Sequence, residues 1–164
     1  MLGALLAVAL ILMAASDRDD QPDPVALWAA LEDATVTLES GLIVGEQRGH
    51  PVSAKFDIAD GDLQLTVWIA TVDSLLQVVV DPNTAAVARS EPINASDDLA
   101  DAIAQRAAVE RARVSLLSAV QQALRDNRGA RAVNVMPELK DGHPIAVITL
   151  LVNGKFRKVS RWLE

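Results

Sequence analysis

His50 and His143 are the only histidines in the chain, and no cysteine accompanies them. Imidazole acid–base catalysis must therefore run through one of these two positions, while thiolate nucleophiles, thiolate metal sites and disulfides are excluded. Each histidine stands in a Gly-His-Pro-aliphatic tetrapeptide, Gly49-His50-Pro51-Val52 and Gly142-His143-Pro144-Ile145. Both are expected in hairpin loops, with a turn role. A metal shared between them would need the loops to face each other and carboxylates to complete the shell; no metal and no cofactor is expected. Asp17, Asp19, Asp20 and Asp23 have the look of a calcium loop, but the glycine and closing glutamate of the helix–loop–helix site are missing. A solvated linker is the expectation there. Asp57 and Asp60 could be a glycosidase-like pair only if space brought them together; exposed strand and turn acids are expected instead. No HExxH, nucleophile elbow, phosphate-cradling glycine loop or dinucleotide fingerprint occurs. No catalytic residue is assigned, and no enzyme is expected.

The residues that could bind lie on strands. Leu63, Leu65, Val67 and Ile69 alternate with Gln64, Thr66 and Trp68, the mark of a half-buried strand. A two-layer fold would leave Gln64, Thr66 and Trp68 on its open face, where a large ring either is covered by the second half of the chain or anchors a partner. Trp162, on the last strand, is the other candidate for partner binding; Trp28, on the first helix, reads as core or rim. With Phe56 and Phe156 these are the only rings, there is no tyrosine, and the net charge is −7. Single-stranded nucleic acid wants aromatic platforms in a basic groove, so nucleic acid is not an expected partner.

The elements that must position these residues follow from period and punctuation. Asp23-Pro24 reads as an N-cap and first helical residue, opening a helix to about Glu39 through Leu27, Trp28, Leu31, Thr35 and Leu38. Strands are expected at 52–58, 63–69 and 75–80, the first two joined at Asp60-Gly61, with Ala86–Ala88 continuing beyond the turn Asp81-Pro82-Asn83-Thr84. Asn94-Ala95-Ser96 matches a glycosylation sequon but reads as the cap of a long helix running to about Asn127. Acids lead that helix (Asp97, Asp98, Asp101), Arg125 and Arg128 follow near its end, and Ser115 opens a fresh start inside it. Leu99, Ile103 and Ala107 are its expected inward face. Strands follow at 132–139, 145–152 and 156–162, with hairpin turns at Asp141-Gly142 and Asn153-Gly154. The twin Gly-His-Pro tetrapeptides, at matching places, suggest a duplication.

The first segment bears on location. Leu2 to Ala15 is unbroken apolar sequence, including Leu2, Leu5, Leu6, Leu10 and Leu12. It falls short of the roughly 20 residues of a spanning helix and fits the core of a signal peptide. Ala14-Ala15-Ser16 offers the small residues that a signal peptidase reads, predicting cleavage before Asp17. No Lys or Arg precedes the apolar core, and the alternative is a segment retained as a short anchor.

In this order of elements, HPVSAKFDIADGDLQLTVWIA followed by LLQVVVDPNTAAVA resembles a PepSY domain, and SLLSAVQQAL with MPELKDGHPIAVITLLVNGKFRKVS resembles the helix and strands of a second. The family's last strand reads aliphatic–Val-Asp-x-x-Thr-Gly-x-Val; here Ala85 stands where the glycine is usual, so a turn without positive φ is expected at that position. The resemblance implies an α+β fold of two αβββ units, each a helix on an antiparallel meander, over residues 24–93 and 94–164. Residues 1–16 would precede them as signal peptide or anchor, and residues 17–23 as linker. It further implies a non-catalytic periplasmic or secreted protein of the bacterial envelope, akin to the units of peptidase propeptides that are proposed to inhibit. Three readings stand at this point. The first is a binding or regulatory module recognising an envelope protein or peptide through a sheet face or edge. The second is an accessory subunit of a membrane complex, touching the membrane through residues 2–15. The third is a small hydrolase, which needs an acid of raised pKa beside His50 or His143.

Overall fold

A computed structural model describes residues 21–164. The expected signal or anchor, and Asp17, Asp19 and Asp20, lie outside the described residues. The chain builds four helices and one seven-stranded antiparallel sheet: α1 Pro24–Glu32, α2 Leu38–Glu46, β1 His50–Ala59, β2 Asp62–Ala70, β3 Leu75–Val80, β4 Val87–Pro92, α3 Ser96–Arg111, α4 Leu116–Asp126, β5 Arg131–Lys140, β6 His143–Val152 and β7 Lys155–Trp162. Strand order is β4-β3-β2-β1-β5-β6-β7. The fold class is thus α+β, and each expected strand is present.

Local chemistry explains the boundaries. Asp23 caps α1, its Oδ1 accepting from the backbone N–H groups of Val25 and Ala26 at 3.0 and 2.9 Å. The single helix expected to Glu39 is two helices. Thr35 donates its hydroxyl to the Asn83 carbonyl (2.6 Å), and the Val36 N–H bonds the Pro82 carbonyl (3.0 Å), so residues 33–37 are drawn across to the β3–β4 turn. Thr37 then caps α2 by accepting from the Ser40 N–H. Ser115 does the same for α4 through the Ser118 N–H, as its position suggested. Ser96 does not cap α3: the N-cap is Ala95, without a side-chain bond.

Three hairpins close on paired positive φ values: Asp60 and Gly61 (54° and 87°), Asp141 and Gly142 (53° and 83°), Asn153 and Gly154 (49° and 71°). These are type I′ turns, whose twist matches the flanking strands. Ala85 also lies at positive φ, 61°, contrary to expectation. Asp81 imposes this conformation: its Oδ1 accepts from the Asn83 and Thr84 N–H groups, and its backbone carbonyl accepts from the Ala85 N–H.

One face of the sheet carries α1, α2 and α4. Leu27, Leu31, Leu38 and Leu42 from the first two helices, and Leu116, Ala119, Val120 and Ala123 from α4, pack with Phe56, Leu65, Val67, Val78, Val135, Ile148 and Leu150 in one core. The remaining helix crosses the opposite face. Ala102 of α3 joins Val52, Ala70, Leu75 and Ile93 in a second, smaller cluster, with Trp68 and Leu99 packed beside it. The buried residues of α3 are Ala102, Gln105, Ala108 and Val109, while Ile103 is 54% exposed and Ala107 exposed. Leu99 faces inward as expected, but Ile103 and Ala107 each lie one position from the residue that does, because α3 must carry Ala102 onto the second cluster and Val109 into the main core.

The twin tetrapeptides do not correspond. Gly49-His50-Pro51 opens β1, the first strand after its helix, whereas Gly142-His143-Pro144 follows a hairpin and opens β6. Neither histidine sits within a hairpin loop; each is the first residue of a strand, His50 opposite Ala70 and His143 opposite Lys140. Their glycines also do different work. Gly142 supplies a positive φ, while a side chain at Gly49 would strike Ile69 and the Ala70 carbonyl.

Candidate functional site

The face of the sheet that α3 crosses is only partly covered. Along it run Ser53, Lys55, Asp57 and Ala59 of β1, Gln64, Thr66 and Trp68 of β2, and Asn134 and Met136 of β5. These are the positions that alternate with the core-facing Ala54, Phe56, Leu65, Val67 and Val135. Asp98, Asp101 and Gln105 of α3 form the opposite wall, and the whole encloses a groove of about 520 Å³. That volume lies within the ~300–1,000 Å³ of ordinary ligand pockets.

Most residues lining this groove carry polar side chains. Trp68 is half-buried, and its indole Nε1–H donates to Gln77 Oε1 at 3.3 Å, so the ring is held against the second cluster rather than standing free. Lys55 Nζ meets Asp57 Oδ2 at 2.9 Å, and Asp57 Oδ1 accepts from the Ile58 N–H. Gln21 enters from the N-terminal side and donates to Thr149 Oγ1 at 3.3 Å. Asn134 and Gln105 stand apart from these pairs. They are 9% and 8% exposed, and Asn134 Oδ1 and Gln105 Oε1 have no hydrogen-bond partner. Buried polar atoms are nearly always paired, so two unpaired acceptors, one on the sheet wall and one on the α3 wall, single the groove out. The signal for them in sequence was faint: Asn134 interrupts an apolar strand, and Gln105 sits where α3 turns inward.

Three of the four residues proposed for partner binding divide cleanly from the fourth. Gln64, Thr66 and Trp68 line the groove together. Trp162 does not: it is 58% exposed on β7, edge-on to the His143 ring at 6.3 Å between centroids. His143 Nδ1 in turn lies 2.7 Å from Glu164 Oε1, both side chains exposed. His50 borders a separate cleft of about 190 Å³ with Glu46 and Arg113, among apolar residues including Leu42, Val114 and Leu117. Glu46 and His50 are both exposed there. Asp60 sits in its hairpin turn, while Asp57 is engaged by Lys55 in the groove. No cluster of three or more potential metal-ligating side chains occurs among the described residues. The Asp81 carboxyl is held below the usual range by the N–H groups of Asn83 and Thr84.

The strand edges are guarded. β7 presents Lys155, Arg157, Lys158 and Arg161, and Arg161 pairs with Asp126 of α4 at 2.8 Å. β4 is six residues long, ends in Pro92, and bridges Arg89 to Glu91 along itself at 3.3 Å. Charge, proline and short length each discourage addition of a further strand. The groove, not an edge, is the candidate site.

No family model matches the chain, and no curated protein matches it. Among solved structures it is similar to one described as a "putative lipoprotein" from Clostridium difficile 630, at 12% identity and a TM-score of 0.40, covering 79% of this chain and 95% of that one. Among the described residues, no helix is long and apolar enough to cross a membrane.

Proposed function

We propose that the protein is a non-catalytic extracytoplasmic binding module that holds a protein or peptide partner in the groove between α3 and the open face of the sheet. One observation carries this reading: the paired orphan oxygens of Asn134 and Gln105. Leaving a buried acceptor unmade costs about 1–3 kcal/mol, an expense that a ligand donating hydrogen bonds would offset. The two histidines lie outside the groove lining, so imidazole chemistry has no part in what the groove holds.

The architecture is read as two PepSY-like αβββ units, 24–93 and 94–164, fused side by side. Element order supports it. Outward from the β1–β5 junction the sheet runs β1-β2-β3 on one side and β5-β6-β7 on the other, with α2 preceding β1 and α4 preceding β5. Export rests on the apolar run from Leu2 to Ala15 and the small residues that follow. A second reading, an accessory subunit held at the membrane by an uncleaved segment, draws on the Gln21–Thr149 bond. That bond brings the N-terminal side of the chain to the groove itself.

The readings separate by experiment. Mass spectrometry of the native protein distinguishes a chain starting at Asp17 from one starting at Met1. Affinity capture from the native envelope, run with wild type and with Thr66→Arg, tests the groove. A partner captured equally by both places the binding surface elsewhere.

A further inference from the structure

The groove's lining narrows the ligand to a chemical class, an inference that rests on the groove being the binding site. Asn134 Oδ1 and Gln105 Oε1 need donors, and a primary amide offers its oxygen and its N–H groups side by side. An extended strand answers with the N–H and C=O of a single residue, which point to the same side. Ser53, Gln64 and Thr66, on the neighbouring strands, can each donate or accept. Sugar hydroxyls would also satisfy such groups, but sugars are ordinarily gripped by an open aromatic face. Trp68 is the one ring lining this groove, and its indole is tied to Gln77 and packed beside Leu99.

Charge adds a direction. Asp98 and Asp101 stand exposed on the α3 wall and make no ion pair among the described residues. Asp57, on the sheet side, already has Lys55, and Lys158 is the other lysine of the lining, so three acids stand against two lysines. The chain as a whole carries −7, which draws in cationic ligands and repels anionic ones.

We propose that the groove binds an extended peptide segment bearing a lysine or arginine. The Asn134 and Gln105 side chains turn to bring their buried Oδ1 and Oε1 to its backbone N–H groups, and its cation faces Asp98 and Asp101. An apolar side chain of the segment rests beside Trp68.

The test is a pool of N-acetylated, C-amidated hexapeptides, randomised at every position, passed over the immobilised full chain and read by mass spectrometry. The expected result is enrichment of Lys- or Arg-containing peptides on wild type. That retention falls at least tenfold on Asn134→Leu and on Gln105→Leu, two variants on different elements whose thermal midpoints verify folding. An enriched peptide resynthesised with alternate backbone nitrogens methylated binds at least tenfold more weakly, and Asp98→Asn with Asp101→Asn removes the preference for basic residues. The proposal is overturned if no peptide is retained, if retained peptides show no excess of Lys and Arg, or if backbone methylation leaves affinity unchanged. A trimer of N-acetylglucosamine serves as the sugar probe. Should it, and no peptide, shift the side-chain amide resonances of Asn134 and Gln105, the peptide class is wrong while the groove stands. If no probe shifts those resonances and retained peptides shift others near Trp162, the groove reading falls as well.

Discussion

Ala54 and Val135 stand opposite one another in the antiparallel β1–β5 ladder, and with Lys55 and Asn134 they make the seam at which the two halves of the chain become one sheet. Ala54 and Val135 point into the main core, and Asn134 points into the groove. The same short ladder therefore joins the halves, closes the interior and places an unpaired acceptor at the candidate site.

A shared seam and a shared core predict one cooperative unfolding transition. Single-tryptophan variants retaining only Trp28, in the first half, or only Trp162, in the second, should report the same urea midpoint. Val135→Ala should lower stability by about 2–3 kcal/mol, from two lost methyl groups plus the cavity they leave, and should shift both probes together. Separate midpoints would show that the halves unfold independently.

Ala85 predicts a gain. At φ 61° it occupies the left-handed region, which costs a non-glycine residue roughly 1–2 kcal/mol. Glycine removes that strain while adding about 0.4–1 kcal/mol of unfolded-state entropy. Ala85→Gly should thus stabilise by about 0.5–1 kcal/mol, read as a higher urea midpoint at unchanged slope. A lower midpoint would mean that the Asp81 hydrogen bonds do not impose the strain.

Much of this architecture was legible because its signals are local. The Leu63–Ile69 alternation separated core from groove correctly, and Gln64, Thr66 and Trp68 do share the open face. Asp-Gly and Asn-Gly marked the hairpins because two consecutive positive φ values leave few other choices. What failed was non-local. The break at residues 33–37 depends on Pro82 and Asn83, far along the chain. Likewise, Asn134 and Gln105 gain meaning only once α3 is laid across the face that β5 shares. The Gly-His-Pro repetition misled because its two glycines answer to different constraints, a close approach at Gly49 and a turn at Gly142.

Asp81 sets a pH dependence. Its carboxyl is held below the usual value by the N–H groups of Asn83 and Thr84 and the Thr84 hydroxyl, so the folded state favours the ionised form. The stability it contributes is then fully present above the unfolded pKa, about 3.9, and is lost as pH falls through the lower folded value. The difference in melting temperature between wild type and Asp81→Ala should stay constant from about pH 7 to 5 and shrink below about pH 4. A difference that widened on acidification would reverse the assigned direction.

The last prediction concerns how closely α2 and its following turn approach the sheet. A Cβ on Gly41 would stand 2.5 Å from Leu65 Cδ2, and one on Gly49 would stand 2.5 Å from Ile69 Cγ2 and 2.7 Å from the Ala70 carbonyl oxygen. Leu65 can yield by moving the end of its side chain, and Gly41→Ala also gains about 1 kcal/mol of helix propensity. The Ala70 carbonyl cannot yield without moving β2 itself. Gly49→Ala should therefore cost about 1–3 kcal/mol and Gly41→Ala less, giving urea midpoints in the order wild type, Gly41→Ala, Gly49→Ala. Because Gly49 leads directly into β1, which carries Ser53 and Lys55 on the groove side, only the second variant should also disturb the side-chain amide resonances of Asn134 and Gln105. Equal losses from both substitutions would mean that helix packing, and not the backbone at the start of β1, limits the approach.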